Sequence, residues 1–146
     1  GENVDLYDFS KQGKMILVEL STAWCSPCND LASWITNNDQ KIKANPWWNE
    51  RYSPIRDMIN KGDVLMINYL FEGDERKVTA TQNDVKSWYN KYPSSNIPIL
   101  LDENRDVHSW VKPTGLPCIF LLDENMRLIN FTNRGLTDAF LYLTKP

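Results

Sequence analysis

The sequence predicts an α/β fold in which a central mixed β-sheet is flanked by helices. Strand-sized apolar runs alternate with segments of helical periodicity, and only a short polar turn separates the last two strand-like runs. Helix-connected strands followed by a hairpin give parallel strands beside an antiparallel pair, in the order β-α-(α)-β-α-β-β-α. A chain of 146 residues can close one hydrophobic core, so we expect a single domain over residues 1–146.

The first strand and the first helix follow one another closely. The apolar run over residues 15–20 predicts a buried strand that ends at Ser21-Thr22. A helix is predicted over residues 27–36, where Pro27 suits the first turn because proline has no N–H to leave unpaired. Its apolar residues recur at spacings of three and four, namely Leu31, Trp34 and Ile35.

An extra aromatic helical insertion is predicted between the first helix and the second strand. Residues 37–39, Asn-Asn-Asp, end the first helix, and Pro46 is suited to open the next one. The apolar face of this second helix comprises Trp47, Trp48, Tyr52, Ile55, Met58 and Ile59. A turn at residues 61–63 then leads to a buried strand over residues 64–70.

The middle of the chain combines a capped helix with short elements. Thr81 and Asp84 form a capping box for a helix that stops near Pro93. The residues of this helix that we expect to face inward are Val85, Trp88 and Tyr89. Residues 97–101 are short and extended, and residues 106–111 make one or two helical turns.

A β-hairpin and a closing helix complete the predicted fold. Residues 118–122 form a strand, and a turn at residues 123–125 joins it to a second strand over residues 128–131. Thr137 caps a final helix that extends through Leu143.

The composition is that of a globular protein without attraction to polyanions. Hydrophobic residues make up 42% and charged residues 24%, and the net charge is −3. These values argue against a disordered chain and against binding to nucleic acid or to an anionic membrane surface. No apolar run is long enough to span a bilayer. The chain begins with Gly1 rather than Met, so we expect any signal or anchor segment to lie upstream of it.

The pair Cys25 and Cys28 has the spacing of a redox site. Cys25 lies where the first strand ends and the first helix begins, and the unpaired N–H groups of a helix start stabilise negative charge. We therefore expect the pKa of the Cys25 thiol to fall well below the free value of about 8.5. Cys28 lies one turn further in, so the pair offers an exposed attacking thiol and a shielded partner.

Two other interpretations of the cysteine pair carry less weight. A structural zinc site needs four ligands, and only Cys118 and His108 remain, far away in the sequence, so we expect no metal. An inert structural disulfide would stabilise little, because so short a loop removes little chain entropy.

Glu19 is the one charged residue of the first strand. A carboxylate in a buried strand is costly unless it is paired, protonated or used in chemistry. Placed six residues before Cys25, it would point beneath the helix that carries Cys28. A carboxyl of raised pKa there can accept the Cys28 proton as that thiol attacks. The alternative is an edge strand on which Glu19 faces solvent.

These motifs resemble the signatures of the thioredoxin superfamily. Trp24-Cys25-Ser26-Pro27-Cys28 after an apolar strand resembles its active-site motif, and Glu19 matches the buried aspartate of thioredoxins. Thr114-Gly115-Leu116-Pro117 before a strand resembles its second signature, which implies a cis-proline against the active-site cysteines. The resemblance implies a substrate groove formed by Trp24, Ser26, Pro27, Leu116 and Pro117, with the substrate backbone paired to Leu116.

A finer resemblance is to the TlpA/ResA-like, or redoxin, extracytoplasmic thiol–disulfide oxidoreductases. It rests on Gly13-Lys14 and on the stretches over residues 97–102 and 119–125, and it extends from about Leu6 to the end of the chain. The chain departs from the family pattern in its aromatic insertion, in Cys118 where many relatives have Thr, and in Asn125-Met126 where Gly is frequent.

The finer resemblance implies a periplasmic or membrane-anchored protein that reduces protein disulfides. Electrons would come from a membrane-bound donor, and no cofactor would be needed beyond the Cys25–Cys28 disulfide. We expect a monomer. Cytochrome c maturation or a similar envelope task is the implied setting.

Three further features have weaker claims to the site. Trp47 and Trp48 either form a partner-binding patch or pin the insertion onto its own domain. Cys118 is either a buried small hydrophobe or a third redox thiol. His108 is expected to be an exposed helix residue, although the loop side of the site is within its reach.

The sequence supports one leading hypothesis and two alternatives. In the leading one, a reductase, Cys25 is the nucleophile, Cys28 resolves the mixed disulfide and Glu19 handles the proton. The first alternative is a thiol peroxidase. That chemistry needs a Thr and an Arg near the attacking thiol, and the sequence offers Thr22 but no clear Arg. The second is a binding module that docks a partner through the aromatic insertion, with an incidental cysteine pair.

Overall fold

The structure is a computed structural model that describes residues 1–130 and 135–146. Its strands are β1 (Ile16–Thr22), β2 (Leu65–Glu72), β3 (Ile99–Leu101), β4 (Cys118–Leu122) and β5 (Leu128–Asn130). Its α-helices are α1 (Ser26–Asn37), α2 (Ser53–Lys61), α3 (Gln82–Lys91), α4 (Asp106–Val111) and α5 (Leu136–Leu143). Short 3₁₀ helices cover Leu6–Phe9, Gln40–Ala44 and Glu50–Tyr52.

β1 lies at the centre of a mixed sheet whose strand order is β3-β2-β1-β4-β5. It pairs in parallel with β2 and antiparallel with β4. β3 extends the parallel side of the sheet, and β5 forms the predicted hairpin with β4. The predicted fold class, a central mixed sheet flanked by helices, is confirmed.

Both faces of the sheet are buried. Leu17 and Ile119 pack under α1, α2 and α5, whereas Ile16 and Val18 on the other face pack with Val111 of α4. Every residue of β1 is buried, which explains why its sequence is an almost continuous apolar run rather than an alternating one. Within the described residues, no helix is long and apolar enough to cross a membrane.

The prediction that Pro46 opens the second helix is wrong. Pro46 lies in a turn, and α2 begins at Ser53 with Pro54 in its first turn. Both prolines suit a helix start, but Asn49 accepts a hydrogen bond from the Arg51 N–H and caps the 3₁₀ helix that leads into α2. The insertion is therefore a series of short turns followed by a helix.

Two smaller predictions about helices are also wrong. Tyr89 is 46% exposed, because the inward face of α3 continues from Trp88 to Tyr92, which is buried. Thr137 lies inside the first turn of α5, and Gly135 precedes that helix with the positive φ of 55° that glycine readily adopts. Phe131, predicted to end the last strand, lies outside the described residues.

Candidate active site

The two cysteines lie at the start of α1 and are joined by a disulfide, with their Cα atoms 5.3 Å apart. Cys25 is the N-cap residue, and its Sγ accepts a hydrogen bond from the Cys28 backbone N–H at 3.3 Å. Pro27 occupies the first turn. The helix start thus directs an N–H group at the Cys25 sulfur, and this contact would stabilise a thiolate there.

The prediction that Cys25 is exposed is wrong for this oxidised form. Cys25 is 3% exposed and Cys28 is fully buried. Both belong to an apolar cluster with Leu70 and Trp88, against which Leu116 packs. The disulfide holds the Cys25 sulfur against the buried Cys28 sulfur. The small part of Cys25 that stays exposed lines a groove.

The groove beside Cys25 has a volume of about 670 Å³. Its lining combines the active-site motif, the end of β2 with the turn that follows it, and the segment before β4. Of the predicted groove residues, those that line it are Trp24, Ser26, Pro27 and Leu116. Pro117 is buried behind them, and the Leu116–Pro117 peptide bond is cis, as the resemblance implies.

Asn29 fixes the backbone of the redox loop, a role that the sequence did not indicate. Its Nδ2 donates to the carbonyl oxygens of Ala23 at 2.9 Å and Cys25 at 2.8 Å. Its Oδ1 accepts from Tyr92 Oη at 2.7 Å and from Lys91 Nζ at 2.9 Å. One side chain therefore ties the loop to the end of α3.

Glu72 holds Trp24 beside the disulfide. Its two carboxylate oxygens accept from Trp24 Nε1 at 2.7 Å and from Arg105 Nη2 at 2.8 Å. Burial acts to raise the pKa of Glu72, but the Lys77 backbone N–H, Trp24 and Arg105 outweigh it and lower the pKa. Glu72 therefore stays ionised at neutral pH. The sequence does contain a sign of this role, because Glu72 is an acidic residue at the end of an apolar strand. Glu19 is likewise an acidic residue in an apolar strand.

His108 lines the groove, and the expectation that it is exposed is wrong. It is half-buried, and its ring centroid lies 4.5 Å from that of Phe71. Its backbone N–H and that of Val107 donate to the carboxylate of Asp102, a buried residue that follows β3. The Asp102 carboxylate thus holds the start of α4, and with it His108, at the edge of the groove.

Glu19 is buried, as predicted, and the alternative of a solvent-facing edge strand is wrong. It is 1% exposed at the centre of β1, on the face where Leu17 packs with Leu31 of α1. Burial raises its pKa to about 8, and the hydrogen bond from Asn68 Nδ2 to Oε2, 2.7 Å long, opposes that rise. A carboxyl with a pKa of about 8 thus lies under the helix that carries Cys28.

A buried hydrogen-bonded chain fixes the carboxyl of Glu19. Ser21 Oγ donates to Asn68 Oδ1 at 2.9 Å, which orients the amide so that its Nδ2 faces Glu19. Glu19 Oε1 has no hydrogen-bond partner among the described residues. The second oxygen is therefore available to hold a proton.

Cys118 opens β4 and is fully buried, and it takes no part in the disulfide. Burial, with a smaller contribution from the charge of Glu19, raises the pKa of its thiol to about 11. A thiol of such pKa is not ionised at neutral pH, so the structure favours the small-hydrophobe interpretation over a third redox thiol.

Trp47 and Trp48 pack on the protein's own core rather than forming an exposed patch. Both are half-buried, and the Trp48 ring makes edge contacts with Trp34 at 4.9 Å and Tyr52 at 6.1 Å between centroids. Trp47 lines a small cavity together with Leu116 and Pro117. The insertion therefore supports the segment behind the groove.

Thr22 does not make the contact that the peroxidase alternative requires. Its hydroxyl is buried and has no hydrogen-bond partner among the described residues. The hydrogen bond between Thr22 and the redox loop is a backbone one, in which its carbonyl oxygen accepts from the Cys25 N–H at 3.2 Å.

No family model matches the sequence, and no curated protein matches it either. Solved structures do match. The thioredoxin domain of a thiol–disulfide oxidoreductase from Bacteroides vulgatus is 21% identical with a TM-score of 0.58, covering 99% of this chain and 88% of that chain. The exposed lipoprotein thioredoxin Etrx1 from Streptococcus pneumoniae is 20% identical with a TM-score of 0.55, covering 95% and 87% respectively.

StoA from Bacillus subtilis also matches, with 18% identity, a TM-score of 0.55, and coverage of 90% of this chain and 81% of that chain. The chain thus shares its fold with thioredoxin-like proteins over almost its whole length. The thioredoxin fold predicted from the sequence is confirmed.

Proposed function

We propose that this protein is a thiol–disulfide oxidoreductase that reduces protein disulfides in the cell envelope through Cys25 and Cys28. The observation that carries the proposal is the Cys25–Cys28 disulfide at the start of α1, with Cys25 lining a groove and Cys28 buried behind it. The two sulfurs occupy unequal environments, as stepwise disulfide exchange requires.

The first step is attack on the substrate disulfide by the reduced enzyme. The Cys25 thiolate, stabilised by the Cys28 N–H and the helix start, bonds to one substrate sulfur. The substrate S–S bond breaks, and its other sulfur leaves as a thiolate that takes a proton from water. The product is a mixed disulfide between Cys25 and the substrate.

The second step releases the substrate. Cys28 gives its proton to the carboxylate of Glu19 and attacks the Cys25 sulfur, and the second substrate sulfur leaves as a thiolate. The substrate gains two electrons, and the enzyme acquires the disulfide seen in the structure. The position of Glu19 under α1 and its pKa of about 8 support this role.

Trp24, Ser26, Pro27 and Leu116 are proposed to contact the substrate along the groove, with Pro117 supporting them from behind. The matched structures support a location outside the cytoplasm, since one of them is described as an exposed lipoprotein. A membrane-bound electron donor would then restore the dithiol, and no further cofactor is needed. We propose that the protein acts as a monomer.

Substitution of each cysteine tests the proposal. Cys25→Ser should abolish reduction of insulin by the protein in the presence of a small dithiol. Cys28→Ser should accumulate a mixed disulfide with the substrate, which appears on a non-reducing gel as a band of higher apparent mass. Cys118→Ala is the matched control and should retain turnover, because that thiol lies outside the disulfide. Full turnover by Cys28→Ser would overturn the two-thiol mechanism.

A further inference from the structure

The groove beside Cys25 has a basic wall. Its charged lining residues, all within the described part of the chain, are Glu72, Arg76 and Lys77. The charge of Glu72 is already compensated by Arg105. Two positive charges therefore remain on the lining, although the whole chain carries a net charge of −3.

Arg76 is held in place without an acidic partner. Its guanidinium carbon lies 4.2 Å from the centroid of the Trp24 ring, a cation–π contact. None of the salt bridges among the described residues involves Arg76. With no such ion pair, the N–H donors of the Arg76 guanidinium remain available to a carboxylate that enters the groove.

The turn that carries these two cations is itself anchored. The Gly73 N–H donates to the Val78 carbonyl oxygen at 3.3 Å, and Glu72 pairs with Thr79 in an isolated antiparallel bridge. The Lys77 backbone N–H also reaches the Glu72 carboxylate. A fixed turn presents its charges at a defined place.

The same turn separates its charges in space. Asp74 and Glu75 precede Arg76 and Lys77 directly, so the turn is neutral as a whole. All four side chains are exposed, but only the two basic ones line the groove. The groove is basic because of where the backbone directs these four side chains, and the sequence alone does not reveal it.

We propose that Arg76 and Lys77 select protein disulfides whose reactive cysteine is flanked by acidic side chains. The proposal rests on the proposed function, since it names the substrate class of the same groove. A carboxylate beside the attacked sulfur would pair with the guanidinium above Trp24 while the substrate backbone passes Leu116. Arg76 and Lys77 are exposed, so ion pairs with them give modest gains that salt weakens.

The test uses three disulfide-linked peptides that differ only at the residues on either side of the reactive cysteine, which are Glu, Gln or Lys. Single-turnover reduction by the reduced protein is followed at low and high salt. We expect the Glu peptide to react about three- to tenfold faster than the Gln peptide and the Lys peptide to react more slowly. This spread should shrink as the salt concentration rises.

Variants of Arg76 and Lys77 test whether these residues cause the preference for acidic peptides. In Arg76→Gln/Lys77→Gln, the ratio of Glu-peptide to Gln-peptide rates should fall to about one. Arg76→Lys keeps the charge and should keep a ratio above one. The matched control is Lys86→Gln/Lys61→Gln, which removes two exposed positive charges outside this groove and should leave the ratio unchanged.

The outcomes separate this proposal from the proposed function. Equal rates for all three peptides, or a wild-type ratio that persists in the Arg76→Gln/Lys77→Gln variant, would overturn the acidic preference and leave the reductase proposal standing. Failure of the wild-type protein to reduce any of the three peptides would instead contradict the proposed function.

Discussion

Glu19 carries an ionisable carboxyl into the centre of the sheet, and its burial gives the protein a dependence on pH. The pKa is about 8 in the folded protein, against 4.5 for the unperturbed group. The folded state therefore keeps a proton that the unfolded chain loses between these pH values. Stability must then fall as the pH rises through this interval, with the full contribution present below about 4.5 and lost above 8.

Comparison with Glu19→Gln isolates this effect, because all other titrating groups are shared. We expect the variant to become more stable than the wild type as the pH rises from 5 to 9, by an amount on the order of 2–4 kcal/mol. Chemical denaturation of both oxidised proteins across that range measures the difference. Parallel pH profiles would contradict the buried, protonated carboxyl.

The same substitution should slow the second half of the exchange. A glutamine cannot accept the Cys28 proton, so we expect decay of the mixed disulfide to slow by roughly 10²-fold. In the wild-type protein the decay rate should rise with pH and level off above about 8, where Glu19 is ionised. Acid quenching and mass spectrometry follow the intermediate, and an unchanged rate profile in Glu19→Gln would remove this residue from the mechanism.

At the scale of elements, the redox loop depends on α3 through Asn29. Asn29→Ala removes two donated and two accepted hydrogen bonds, so we expect a loss of about 2–4 kcal/mol in the free energy of unfolding. Tyr92→Phe removes one of them and should cost about 1 kcal/mol. The control Asn83→Ala, at an exposed position of α3, should change stability little, and urea denaturation compares all three.

The aromatic insertion packs on the core, so loss of its ring contacts should lower the free energy of unfolding. Trp48→Ala deletes ring contacts with Trp34 and Tyr52, for an expected cost of about 2–4 kcal/mol. Trp110→Ala removes a ring that is 62% exposed and makes an edge contact with Phe120 at 5.7 Å between centroids, so it should cost less, about 1 kcal/mol. Thermal unfolding compares the two variants. A Trp48→Ala protein of native stability would contradict the packing interpretation.

Local patterns explain which elements were predictable. The continuous apolar run gave β1, the Thr81–Asp84 box gave α3, and the cysteine spacing with Pro27 gave the start of α1. The prediction at Pro46 was wrong because a proline suits a turn as well as a helix start. The side-chain cap at Asn49 marks the start of the 3₁₀ helix that leads into α2. The prediction for Tyr89 was wrong because the inward face of α3 runs from Trp88 to Tyr92, the residue that follows the helix, and leaves Tyr89 exposed.

At the scale of the whole molecule, the residues that the sequence did not reveal are those whose partners are distant along the chain. Glu72 meets Trp24 and Arg105, and Asn29 meets Tyr92, across 33 to 63 positions. No periodicity records such contacts, because they exist only after the sheet has brought its elements together. The two cysteines and Glu19 were found because their chemistry is unusual for their immediate surroundings.

The sheet order also predicts how stability is distributed over the molecule. β1 is paired on both sides, whereas β3 and β5 lie at the two edges. We expect β1 amides to exchange only with global unfolding, and β3 amides to exchange at least about tenfold faster. Native-state hydrogen exchange measures this, and similar protection in the two strands would contradict the expected hierarchy.

The central place of β1 has a consequence for the nascent chain. β1 is translated before both of its neighbours, and the second of them, Cys118–Leu122, follows only after β2 and β3. Until β4 is translated, one apolar edge of β1 is therefore unpaired and could pair with another polypeptide. Glu19 is ionised in the unfolded chain at neutral pH and interrupts that apolar run, so we expect its charge to oppose aggregation of the growing polypeptide.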